Sequence, residues 1–326
     1  MDRRLRDRVE GAVLGTLIGD ALGAGCHWYY DLEAFHRDHG PWVRDYVAPR
    51  PGGWHEGLSP GDSSQTGQVA LLLLESLAEH GTYHQEAFTA RLDDLLATLD
   101  GTVRGGRVTD IAMRDLWAAR RSGTPWSETG SLAETSEAAT RAVMLIAAYA
   151  EHPEQLAAAA LANVRLTHCD PFIAAQALAF TLTTASLVQG GDLRLASQRS
   201  RRWVEGLGVT PQATDCFLQP AFVERAATHP KLQGLDPVVI AEIYGLPCQQ
   251  GMLLPAAYWY ASRFAGDFEN AVLTAVNSGG NNMARAGLTG ALVGARVGTA
   301  GIPKRFLQGL VDLPRARAAL SRLLDN

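Results

Sequence analysis

Two apolar stretches, GAVLGTLIGDALGAG at residues 11–25 and GLTGALVGARVGTAG at residues 287–301, carry glycine every few positions. Both have the look of buried helices, yet glycine inside a helix costs about 1 kcal/mol relative to alanine. Repeated use at that cost needs a cause, and close approach of a second backbone supplies one. The two stretches are therefore expected to form central, tightly packed helices near each other. The rest of the chain is consistent with a helical architecture. Segments 68–80, 86–99, 134–150, 154–166, 171–188 and 284–298 repeat apolar residues at three- and four-residue steps, with Ala and Leu abundant, and no comparable set of alternating strands appears.

Pro and Gly punctuate these segments at 48–64, 121–131, 229–237 and 244–251. None of these pieces is long, charged or low in complexity, so each reads as a helix-to-helix loop and not as a domain linker. One all-α domain over residues 1–326 is the economical reading, since a chain of this length can fill one large core. Pro171 directly after Asp170 predicts a helix start with Asp170 as its cap.

Lys+Arg 29 against Asp+Glu 34, a net charge of −5, gives no electrostatic reason to expect nucleic acid or an anionic membrane as partner. A small-molecule ligand is expected instead, on a monomer or small homo-oligomer. Cys26, Cys169, Cys216 and Cys248 lack the paired spacings of zinc or redox motifs and read as separate reduced thiols. The start, MDRRLRDRVEGAVLG, has the pattern of neither a secretion signal nor a membrane span, and a cytoplasmic protein is expected.

Four stretches place polar residues at the mouths of apolar helices. They are Gly19-Asp20-Ala21-Leu22-Gly23 continuing to His27-Trp28-Tyr29-Tyr30-Asp31, then Gly61-Asp62-Ser63-Ser64-Gln65-Thr66, then Thr167-His168-Cys169-Asp170-Pro171, and finally Gly279-Gly280-Asn281-Asn282-Met283-Ala284-Arg285. Together they predict one convergent pocket built from helix termini and loops.

In order and spacing these stretches resemble the ADP-ribosylglycohydrolase family, which includes dinitrogenase reductase-activating glycohydrolases, ADP-ribosyl-acceptor hydrolases and the J-crystallins. The similarity runs from Gly11 to about Phe306. It implies an all-helical domain that holds two magnesium ions and cleaves ADP-ribose from a modified side chain or related acceptor. The family's first helix usually reads G-D-A-L-G, followed four residues later by a functional glutamate; this chain keeps Gly19 to Gly23 and has His27 at the glutamate position. The family's T-D-D-T lies over Ser63-Ser64-Gln65-Thr66, and its G-G-D-T-D-T lies over Gly279 to Ala284, with both aspartates absent in each case. Thr167-His168 with Asp170 keeps the middle motif. HWYYD at 27–31, Gln65-Thr66 and GGNNMARA at 279–286 look like the J-crystallin-like branch, from which Ser64 and Asn281 depart again where aspartate is common.

Two nearby magnesium ions need several carboxylates to offset their repulsion. Ser64, Gln65, Asn281 and Asn282 offer neutral oxygens and Met283 a thioether, so the family's binuclear magnesium is expected to be absent and no cofactor is assigned. A single weakly held ion on Asp20, Asp62 or Asp170 stays open.

Gly279 and Gly280 at a helix N-terminus are expected to leave amides free for an anion. Asn281 and Asn282 are expected to cap the helix or donate to a ligand, with Arg285 one turn on gripping a phosphate or carboxylate. His27 and His168 are acid/base candidates, since histidine titrates near neutrality. Asp20 and Asp62 are carboxylate candidates, although Asp20 equally suits a buried anchor or a partner for Arg285, and Asp62 a simple turn. Ser63, Ser64, Gln65, Thr66 and Asp170 complete the ligand-positioning set. Trp28, Tyr29, Tyr30 and Trp54 suit either packing or stacking on a base or sugar.

The leading reading is a hydrolase of a glycosidic bond in an ADP-ribosyl or nucleoside-like substrate, with a rebuilt, metal-poor site. The alternative is a non-catalytic ligand-binding or structural, crystallin-like pseudoenzyme. A third reading is a hydrolase or transferase of an unrelated small metabolite on the same fold.

Overall fold

The computed structural model describes residues 1–104, 107–209 and 211–325. The chain opens with Asp2, whose side chain accepts the amide of Leu5 at 2.8 Å and starts α1 (Arg3–Ala24). Next come α2 (Leu32–His39), α3 (Gln65–His80), α4 (Gln85–Ala97) and α5 (Ile111–Arg121), capped by Asp31, Ser64, His84 and Asp110 in turn. A broken run follows, α6 (Glu137–Ala142) and α7 (Ile146–Tyr149) joined through a 3-10 turn at Val143–Leu145. The second half holds α8 (Pro153–Arg165), α9 (Pro171–Val188), α10 (Leu193–Trp203), α11 (Gln219–Ala227), α12 (Ile240–Tyr244) and α13 (Gln250–Arg263). It closes with α14 (Phe268–Asn277), α15 (Asn282–Val297), α16 (Lys304–Gly309) and α17 (Leu313–Leu324).

The fold is all-α. Among the described residues extended pairing is limited to three isolated bridges, Tyr29 with Gly280, Ser131 with His168 and Thr135 with Gln249. The expected helical segments are present with shifted ends, with one correction. Residues 134–150 are not one continuous α-helix: Glu134 gives its carbonyl to the Gln250 amide at 2.7 Å, Thr135 bridges to Gln249, and the helix begins only at Glu137. The 3-10 turn then tightens it at three fully buried residues, Val143, Met144 and Leu145.

The centre of the molecule is the antiparallel pair α1 and α15, as the glycine texture of the sequence predicts. Gly11 faces Gly294, Gly15 faces Gly290, Gly19 faces Ala286 and Gly23 faces Met283. A Cβ on any of these four α1 glycines would overlap backbone atoms of α15. Four such contacts at four-residue spacing keep one face of α1 free of side chains, so its backbone meets that of α15 directly. From Gly11 to Ala24 every residue of α1 is buried, and α9, α13 and α14 pack around α15. Helix α9 is apolar on all sides and almost wholly buried, which is the environment such a helix needs. The antiparallel direction sets the end of α1 beside the start of α15, where two of the polar stretches meet.

Replacing Gly290 by Val is expected to lower stability by about 3 kcal/mol or more, through overpacking against the Gly15 carbonyl. Gly251→Ala, at an exposed position of α13 where the nearest atom to a new Cβ is Gln176 Nε2 at 3.5 Å, is expected to keep or raise stability by about 0.5 kcal/mol. Urea denaturation midpoints of the two variants check both.

Candidate active site

A cavity of about 310 Å³ opens where the ends of α1, α3 and α15 meet the loops carrying Trp54, Thr135 and Cys248. Of the residues proposed from sequence, His27, Ser64, Thr66 and Asn281 line it, together with Trp28 and Trp54.

Asn282 fixes the state of His27. Its Nδ2 donates to the carbonyls of Cys26 at 3.2 Å and Val276 at 3.1 Å, so its Oδ1 is the atom that meets His27 Nδ1 at 3.0 Å. An amide oxygen only accepts, so the His27 proton sits on Nδ1 and Nε2 keeps its lone pair. Burial, then the neighbouring His55, push the His27 pKa down to about 3, which makes the ring a neutral acceptor at physiological pH. His27 therefore does not serve as an acid in this state. Its ring stacks on Trp28 with centroids 5.0 Å apart and lies 5.2 Å from His55. His55 is 3% exposed, neither ring nitrogen has a hydrogen-bond partner, and its pKa falls to about 4 through burial and the nearby Arg107 and Arg104.

The opposite wall holds two carboxylates absent from the sequence-based set. Asp110 caps α5 by accepting the Met113 amide at 3.1 Å, and Glu137 begins α6. Asp110 lines the cavity and is part-buried there, and desolvation, with the Glu137 charge beside it, raises its pKa to about 8. That direction favours the protonated form at neutral pH. Glu137 Oε2 accepts no hydrogen bond and lies 3.7 Å from His168 Nε2.

His168 is fully buried behind this wall, with Nδ1 2.9 Å from Thr167 Oγ1 and Nε2 3.1 Å from Thr135 Oγ1. It does not line the cavity. Thr167 in turn accepts from Arg141, a buried guanidinium also held by the Asn163 side chain and carbonyl at 2.9 Å. Burial lowers the Arg141 pKa to about 10, leaving it a cation.

Other sequence-based candidates are turned to structural work. Both Asp20 oxygens are taken by Ser64, whose amide donates to Oδ2 at 2.8 Å and whose hydroxyl donates to Oδ1 at 2.6 Å. Burial raises the Asp20 pKa to about 6 against these bonds, and the carboxyl anchors α3 to α1. Asp62 closes a turn by accepting the Ser59 amide at 2.7 Å, away from the cavity lining. Ser63 donates to Asp312 at 2.8 Å, and Gln65 Nε2 donates to Thr109 Oγ1 at 3.1 Å. Asp170 accepts the amides of Phe172 and Ile173, both at 2.9 Å, which fulfils its expected capping of α9 and places it off the cavity.

At the start of α15 two of the amides expected to meet an anion are bonded within the protein. Gly279 and Gly280 have φ of 65° and 58°, a conformation that favours glycine, and the Gly280 amide donates to the Tyr29 carbonyl at 2.5 Å. The Asn281 amide donates to the Leu246 carbonyl at 2.8 Å, and Asn281 Oδ1 accepts the Ala284 amide at 3.2 Å. Arg285 is fully buried, donates to the carbonyls of Ala275 and Gly279, and makes no ion pair with Asp20 among the described residues.

With this geometry in hand, comparison with known proteins is decisive for the family. Residues 1–326 match the ADP-ribosylglycohydrolase description from end to end. The chain belongs to the ADP-ribosylglycohydrolase family. It is 26% identical over 313 residues to the ADP-ribosyl-[dinitrogen reductase] glycohydrolase of Rhodospirillum rubrum, covering 94% of this chain and 91% of that protein. An uncharacterized protein of Archaeoglobus fulgidus is 26% identical over 310 residues, covering 94% of this chain and 93% of its own. A solved structure described as an ADP-ribosylglycohydrolase-related protein complex shares the fold, with a TM-score of 0.70 at 22% identity and 99% of both chains covered.

In this chain, the oxygens that the positions matched to the family's aspartates bring to the cavity are those of Ser64 and Asn281, both neutral and both already engaged in capping. Among the described residues no three His, Cys, Asp or Glu side chains converge in a way that would hold a metal ion. Sequence reasoning missed Asp110, Glu137 and His55 because an acid before or at the start of an apolar run reads as an ordinary helix cap. A lone histidine in a Gly-rich loop carries no pattern at all.

The His27 assignment predicts that its imidazole nitrogen shifts, with the proton on Nδ1, stay constant from about pH 8 to about pH 5. Since the unfolded chain takes up that proton near 6.5 and the folded one does not, His27 lowers stability as pH falls below 6.5. Asn282→Leu is expected to cost about 1–3 kcal/mol by stranding the buried Cys26 and Val276 carbonyls, checked by urea denaturation.

Proposed function

We propose that this ADP-ribosylglycohydrolase-like hydrolase cleaves a glycosidic bond of an ADP-ribosyl or nucleoside-like small molecule in a metal-poor site. The observation that carries the reading is the pairing of Asp110, with its raised pKa, and Glu137 on one wall of a cavity that His27 also lines. Glycoside cleavage needs two carboxyl groups in different protonation states, and burial beside a like charge is what sets them apart here.

In this mechanism Asp110 gives its proton to the leaving atom as the bond to the anomeric carbon breaks, and the electron pair departs with the leaving group. The water oxygen then bonds to the anomeric carbon, and its proton passes to Glu137. His168 lies behind Glu137, 3.7 Å from its Oε2, and His27 Nε2 accepts a hydrogen bond from the substrate. Two magnesium ions do not fit this donor set, because two carboxylates, one of them protonated, cannot offset the repulsion of two divalent cations. No step is assigned to a metal.

The non-catalytic reading draws on the same loss of carboxylates at the metal positions. Turnover separates the two. Release of the aglycone is expected at the same rate in chelator and in millimolar magnesium. Asp110→Asn and Glu137→Gln are each expected to lower kcat by about 10²–10⁴-fold while the fold is retained. The rate of the unaltered enzyme is expected to fall as pH rises through about 8, where Asp110 loses its proton. Dependence on magnesium would refute the metal-poor site, and no turnover of any glycoside would leave the binding-protein reading.

A further inference from the structure

Resting on that reading, we infer that the cavity takes an uncharged, hydroxyl-bearing glycoside of nucleoside size and excludes the phosphorylated form. The devices expected to hold a phosphate are turned away from the cavity. The amides of Gly280 and Asn281 are bonded to the Tyr29 and Leu246 carbonyls, and Arg285 is fully buried and does not line the cavity. Of the residues that line the cavity only Arg114 is cationic, and its Nε donates to the Asp110 carbonyl at 3.4 Å; Arg104 and Arg107, which lie near His55, donate to the Gly53 and Ser63 carbonyls. The other charged groups on the wall are Asp110 and Glu137, whose mutual repulsion already keeps one of them protonated; a phosphate would add to it.

What the wall offers is neutral and bidirectional. His27 Nε2 accepts, and Thr66, Thr109 and Thr135 carry hydroxyls. His55 is 97% buried by its 3% exposure, and both its nitrogens lack partners in a position that lines the cavity. An orphaned buried donor and acceptor pair of this kind costs free energy until a ligand satisfies it, and a sugar hydroxyl, donor and acceptor in one atom, matches it. Trp28, stacked on His27, and Trp54, its ring 5.6 Å from that of Trp28, add apolar surface to the same cavity. The volume of about 310 Å³ is at the small end of the ~300–1,000 Å³ typical of ligand pockets, which suits one nucleoside and not a dinucleotide.

The test is calorimetric titration of the chelator-treated full chain with adenosine, adenosine monophosphate and ADP-ribose in parallel, repeated with His55→Leu. Adenosine is expected to bind at least about tenfold more tightly than either phosphate-bearing probe, and His55→Leu to weaken adenosine by about tenfold. A calorimetric melting scan of the variant checks that it folds; should it fail, the three-probe comparison on the unaltered protein decides alone. Equal or tighter binding of adenosine monophosphate or ADP-ribose overturns the inference, as does no binding of adenosine. Adenosine that binds but releases no adenine on long incubation counts against hydrolysis and leaves this ligand class standing.

Discussion

The contact on which the rest depends is backbone against backbone, α1 on α15. The glycine face of α1 lets the two helices run antiparallel in backbone contact, and the register that follows sets Gly23 against Met283. That single match brings Cys26 and His27 beside Asn281 and Asn282. The His27 tautomer is thus a distant result of glycine spacing. Without the close approach, Asn282 Oδ1 would not lie 3.0 Å from the ring, and nothing would hold the Nε2 lone pair toward the cavity.

The polar groups around this axis fall into two kinds. Asp20, Ser64 and Asn282 are buried and bonded to their own protein, and their effect is to fix α3 and the start of α15 on the central pair. Asp110, Glu137 and His55 are held less completely, with Glu137 Oε2 and both His55 nitrogens lacking hydrogen bonds. Buried groups of the first kind stabilise the fold, whereas those of the second are held at a cost the fold has to carry. Both His55 nitrogens, Glu137 Oε2 and Trp28 Nε1 are unsatisfied atoms of residues that line one cavity, which marks it as a candidate place for chemistry or binding. Negative charge has a different address from the one the family motifs imply, on the α5 and α6 side of the cavity in place of the α3 and α15 side.

Much of the fold was legible in the sequence because its signals are local. Apolar spacing gave the helices, glycine recurrence gave the central pair, and Asp170 before Pro171 gave the cap of α9. The break in 134–150 was not, since it arises from a contact with Gln250 more than a hundred residues away. The site was legible in part. His27, Ser64, Thr66 and Asn281 reach the cavity, while Asp62, Ser63, Asp170 and Arg285, drawn from the same stretches, point elsewhere. Neighbours in sequence at a helix mouth diverge in direction, and which one faces the cavity depends on partners such as Asp312 and Ala275 that no short motif contains.

The two left-handed glycines at the start of α15 tie three remote pieces of chain into one corner, residue 29 through the Gly280 amide and residue 246 through the Asn281 amide. Such a corner acts as a mechanical joint that has been welded. Bending at Gly279 or Gly280 would break bonds to two other loops at once, so this side of the cavity moves as a single plate. Whatever adjustment a guest requires then falls on the side chains of the far wall, and selectivity by shape is set on one side while adaptation belongs to the other.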